Sequence, residues 1–201
     1  MRFTTRQLVL IAVFGALWGA VEITLGSVLK GMHIPLGGAV MAGTGLVIAL
    51  VGRVFVPKPG STLFIGIIAM CLKMFSIGSF IMGPMVGIIA EAVLAEAVLT
   101  TFRRPSRPAF LAAGGLAVLW TLAQPFFTGL LLFGRDMFAV WLDMLDTGSR
   151  LLGLDANAAF WVVLALVVLH LLIGGVAGWV AWNVGCALRT RLTGMHTVED
   201  V

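Results

Sequence analysis

Tyrosine is absent from this 201-residue chain, charged residues make up only 11% of it, and cysteine occurs twice. Each shortage excludes something. A soluble domain carries about 25% charged residues, so there is too little polar surface here to coat a globule in water. A soluble enzyme, a nucleic-acid-binding domain and a disordered tail are therefore excluded. Cys71 and Cys186 both fall inside apolar stretches, which argues against a disulfide framework. There is no Walker A loop, no HExxH, no GxSxG and no cysteine–histidine metal spacing. His33 and His196 stand in loops without a partner at ligand spacing. No nucleophile is paired with a base, so the reading is a non-enzyme, with no catalytic residue, cofactor or metal site.

What is abundant is apolar sequence: 60% of residues are hydrophobic and the mean hydropathy is +1.09. About 20 apolar residues cross roughly 30 Å of hydrocarbon. The pattern predicts an all-α integral membrane bundle, one domain over residues 1–201, with six spans near 7–29, 34–56, 62–82, 85–102, 109–133 and 158–186. The breaks are chemical. Pro57-Lys58-Pro59-Gly60 cannot continue a helix, and Gly83-Pro84 is expected to turn spans three and four into a tight hairpin. Arg103 to Pro108 forms a polar turn. In the long connection 135–157, apolar residues recur at helical spacing between Asp136, Asp143 and Asp146, which predicts an interfacial helix.

Lysine and arginine set the orientation. The side holding the N-terminus carries Arg2, Arg6, Arg53, Lys58, Arg103, Arg104, Arg107, Arg189 and Arg191, against Lys30, Arg135 and Arg150 opposite. Both termini are expected inside, in a bacterial or archaeal cell membrane. The first segment runs on past Glu22 to Leu29 and is expected to remain as a span rather than act as a cleaved leader.

Span one carries Ala12, Ala16 and Ala20 at four-residue spacing beside Gly15 and Gly19. Such a stripe lets another helix approach closely, either from within the bundle or from a partner. Glu22, Lys73, Glu91 and Glu96 lie inside spans, where each charge costs about 2.5–3.5 kcal/mol to insert. They are expected to face the interior. Lys73 and Glu91 flank the same hairpin and are expected to meet, either as a structural pair or as part of a ligand site. Glu22 shares a helix face with Trp18. Three carboxylates against one lysine favour a cationic or hydrogen-bond-donating ligand, whereas Glu96 is read as structural. Trp120 and Gln124, ahead of Pro125, and mid-span His170 are candidates for the floor of an aromatic-lined cavity.

The alanine stripe, Gly83-Pro84-Met85-Val86-Gly87 and the span layout together resemble the substrate-binding S-components of energy-coupling factor vitamin transporters. The resemblance implies a small molecule captured from outside, and docking through the alanines on a transmembrane coupling subunit served by ATPases. Unpaired carboxylate with tryptophan suits a flat cationic ring such as thiamine or its pyrimidine precursor. The alternatives are an assembly subunit of a membrane complex that binds no solute, and an embedded enzyme using Glu91 and His170 as acid and base.

Overall fold

The computed structural model describes residues 2–32, 36–76, 82–102, 105–154 and 158–199. Within them the chain is all-helical: α1 (Thr5–Gly31), α2 (Gly37–Phe55), α3 (Ser61–Lys73), α4 (Met82–Thr101), α5 (Arg107–Phe133), α6 (Met137–Leu152) and α7 (Ala159–Glu199). Five of these, α1, α2, α4, α5 and α7, are long and apolar enough to cross a membrane. The chain is a multi-pass membrane protein. Large apolar side chains such as Val9, Leu17, Phe127, Leu172 and Val176 are exposed on the outside of the bundle, as expected where the solvent is hydrocarbon.

Close approaches between helices give their directions. On α1 and α2, Trp18 meets Gly45 and Phe14 meets Gly52, so these run antiparallel. Gly15 lies against Ile68 and Gly19 against Leu72, making α1 and α3 parallel. Helix α4 reverses against α3 through Ala92 and Gly66, and α5 reverses against α4 through Gln124 and Gly87. Helix α7 runs antiparallel to α5. There Gly114, Gly174 and Gly178 bring the two backbones together so closely that a Cβ on any of them would sit 2.1–2.2 Å from a carbonyl oxygen of the other helix. This glycine seam needs residues without side chains. The start of α1 and the end of α7 therefore lie at one end of the bundle, with Arg53, Lys58 and Arg107.

Helix α2 is the hub. Its Leu46, Leu50 and Val54 join Ala95, Phe110, Ala117, Val118 and Ala181 in one core cluster, and its Ala49, with Val56 just past its end, joins Trp18, Ile65, Ile88 and Ala92 in a second. The connecting helix α6 is amphipathic, as its spacing predicts. It buries Leu145 against Val162 and Leu166 of α7, and exposes the ion pairs Arg135–Asp143 and Asp146–Arg150. Gly134 and Gly153, at φ 59° and 65°, close α5 and α6 in the left-handed conformation that glycine adopts without strain.

Three boundaries differ from expectation. Helix α3 ends at Lys73 rather than running to Met82; its 13 residues span about 20 Å, short of the hydrocarbon thickness. Gly83 and Pro84 do not form the turn: both lie in the first turn of α4, where a proline's missing N–H has no helical partner to lose. Helix α7 continues past Cys186 to Glu199, because charge ends an apolar run without ending a helix. Arg103, Arg104 and His33 lie outside the described residues, as does the side chain of His196.

Candidate functional site

Buried charges gather at two levels. At the arginine-rich end, α2 ends in Arg53 and α4 supplies Glu96. Arg53 Nη1 donates to both Glu96 oxygens, at 3.0 and 3.2 Å, and to Ser61 Oγ at 3.1 Å, and it also reaches the Lys58 carbonyl. The Gly60 and Thr62 amides donate to the same carboxylate at 2.8 and 3.0 Å. Glu96 is thus the N-terminal cap of α3 delivered from another helix, at the end where a negative charge is stabilised. The structural reading of Glu96 gains a partner that the sequence did not reveal. Arg53 is not a loop residue of the inner rim but a buried member of this node. A cavity of about 90 Å³ lies beside it, lined by Arg53, Leu99, Phe102 and Phe110 among others.

At the second level, three helices bring Glu22, Lys73 and Glu91 into the interior, all buried. The expected Lys73–Glu91 pair is not the one that forms. Lys73 Nζ donates to the Glu22 backbone carbonyl at 2.5 Å and lies 3.6 Å from Glu22 Oε2. The parallel register of α1 and α3 carries Glu22 and Lys73 to the same height, and Gly26 leaves room for the ammonium, which sits 3.3 Å from where a Cβ would be. Met41 of α2 completes this corner.

Glu91 is left over. It is 5% exposed, and its Oε2 has no hydrogen-bond partner among the described residues. The charge that acts on it is that of Glu22, of the same sign. On either side along α4, Ile88 and Ala92 pack with Trp18, whose indole is fully buried and edges past Gly45 and Gly66. Trp18 Nε1 faces the Glu22 carboxylate one turn along α1 without making a well-formed hydrogen bond.

Helix α5 supplies the opposite wall. Gln124 Nε2 donates to the Gly83 carbonyl at 2.8 Å, and its Oε1 lies 2.9 Å from where a Cβ on Gly87 would stand. One helical turn deeper on both antiparallel helices, Glu91 comes level with Trp120. The Trp120 ring packs on Phe127 at 4.9 Å between centroids, and its buried Nε1 also lacks a partner among the described residues. Indole N–H is only a donor and ionised carboxylate only an acceptor, so the two helices present complementary unmet needs at one level.

The remaining candidates lie elsewhere. His170 is buried on α7 with Nδ1 2.7 Å from the Leu166 carbonyl. By the α5–α7 register it stands level with Val118, and α7 and α4 do not pack on each other among the described residues. Glu91 and His170 are therefore not an acid–base pair. Ala12, Ala16 and Ala20 are exposed on the outer face of α1, while Gly15 and Gly19 are the residues buried against α3. Of the two small-residue stripes of span one, the glycines pack on α3 and the alanines are left exposed. Glycine spacing facing α3, rather than the alanines, was the signal for internal packing.

Residues 6–120 match the model of a family described as ABC-type cobalt transport system, permease component. The match covers more than half of the chain. The protein belongs to this permease family. No curated protein and no solved structure matches it. The family makes the chain a component of a membrane transport system of the ABC type. The matched stretch runs from α1 into α5 and includes Trp18, Glu22, Lys73, Glu91 and Trp120. Among the described residues no three His, Cys, Asp or Glu side chains gather as a metal-binding group.

Proposed function

We propose that this permease-family chain is the membrane-embedded, substrate-binding subunit of an uptake system, in the manner of an energy-coupling factor S-component. Its substrate is a small organic cation of vitamin type. The observation that carries the reading is the Glu91 oxygen without a donor, level with the Trp120 N–H without an acceptor. A flat cationic ring that also carries an acceptor nitrogen satisfies both, its cationic part meeting the Glu91 oxygen and its ring nitrogen accepting from the Trp120 N–H, with Trp18 and Gln124 beside it and the Glu22–Lys73 pair nearby. Both termini face the cytoplasm, following the arginine-rich end. The short apolar helix α3 counts as a sixth membrane segment, and α6 lies on the outer surface.

The exposed Ala12, Ala16 and Ala20 form the face that docks on a coupling subunit with its ATPases. Alanine there supports close helix approach because it projects so little beyond the backbone.

The family description names cobalt. A cobalt ion as cargo needs several N, O or S ligands converging on one point, and the carboxylates of this site have one lysine and two indoles for company. An organic cation is the better fit. Mass spectrometry of the denatured, purified full-length protein tests this: a retained organic cation, lost in Glu91→Gln, supports the reading. Tight binding of Co²⁺ with no retained or added organic cation bound would refute it.

A further inference from the structure

Among the described residues the buried ionisable groups are Glu22, Arg53, Lys73, Glu91, Glu96 and His170. Arg53 and Glu96 cancel. Lys73 and Glu22 cancel. Among the described residues Glu91 has no counter-charge.

The elements packed on α4 offer it none. Helix α3 contributes Lys73, already held by Glu22, and Cys71, which is exposed. Helix α2 has one ionisable residue, Arg53, bound to Glu96 five residues further along α4. Helix α5 has no ionisable side chain after Arg107. Leaving an isolated carboxylate ionised in such surroundings costs several kcal/mol, and a group in that position takes up a proton instead.

We propose that Glu91 carries a proton in the ligand-free protein and releases it to the outside when a cationic ligand binds, so that loading exchanges one proton for one organic cation. The carboxyl O–H bond breaks, the proton leaves to water, and the ligand's cationic ring takes its place against the carboxylate. Charge in the site is the same before and after, so neither state buries an unbalanced ion. The inference rests on the proposed function, because it needs Glu91 to face the ligand.

Two measurements on the purified full-length protein decide it. Infrared difference spectra of ligand-free wild type against Glu91→Gln, at neutral pH, are expected to show a protonated carboxyl band that the variant lacks. Absence of that band overturns the proposal whatever the substrate proves to be. Calorimetric titration with thiamine, in buffers of different ionisation enthalpy, is expected to report about one proton released per ligand bound. Affinity is then expected to rise up to about tenfold per pH unit, and Glu91→Gln to flatten that slope. Binding of thiamine without proton release, or release that persists in Glu91→Gln, overturns it. Failure of thiamine to bind refutes the choice of ligand class, and the infrared band still decides the proton.

Discussion

Glu91 and Glu96 stand five residues apart on one helix and are almost equally buried, at 5% and 8% exposure. Glu96 is saturated by a guanidinium and two backbone amides, while Glu91 has an oxygen without a donor among the described residues. The difference is one of surroundings, since the residue type is the same. At the arginine-rich end α3 begins, and its free N–H groups and the end of α2 converge on Glu96. About a turn and a half away the neighbours are apolar side chains and an indole. A buried acid that closes a helix end needs nothing more, whereas one left open in the middle of a bundle is a site by default.

The largest expected effect is at the saturated end. Glu96→Ala strands Arg53 as an unpaired buried cation and leaves the α3 amides uncapped, and is expected to destabilise the protein by about 3–5 kcal/mol, read as a fall in thermal unfolding temperature in detergent. Tolerance of this change would break the contrast with Glu91. Lys73→Met leaves Glu22 without its cation. Since the carboxylate contact is looser, at 3.6 Å, the expected cost is smaller, about 1–3 kcal/mol, and the double change with Glu22→Gln is expected to recover much of it. Additive losses in that pair would show that the two side chains do not act on each other.

Glu91→Gln is expected to leave unfolding within about 0.5 kcal/mol of wild type. It is expected to weaken binding of an organic cation at least tenfold, about 1.4 kcal/mol. A large loss of stability would instead make Glu91 a structural residue like Glu96. Smallest of all on the isolated protein is Ala16→Trp. On an exposed face it is expected to change neither unfolding nor ligand binding, while abolishing co-purification with a coupling subunit. Association that survives would remove the alanine stripe from the interface.

Much of the architecture was legible from hydropathy, because long apolar runs have one stable solution in a bilayer. The amphipathic α6 was legible from its aspartate spacing. The end of α3 was not: Met74 and Phe75 are as apolar as the residues before them, and hydropathy does not register where a backbone stops being helical. Gly83-Pro84 misled for a related reason, since the same dipeptide serves a turn and a first helical turn equally well. Within the site, the buried acids and the lysine were recognisable by their cost in an apolar span. Arg53 was hidden by the charge asymmetry that made it look like a rim residue.

The sequence by itself determined that the chain lives in a membrane, which segments are helical, and which few polar residues must turn inward. Only the tertiary structure decided who meets whom. Lys73 goes to Glu22 because α1 and α3 run parallel in register, Glu96 goes to Arg53, and Glu91 goes to no one. Spacing along one helix places residues on a face, but pairing depends on the rotation and axial offset between helices. Here those are set by where glycines let backbones and rings close in, at Gly15, Gly45, Gly66 and Gly114, a property of two helices at once.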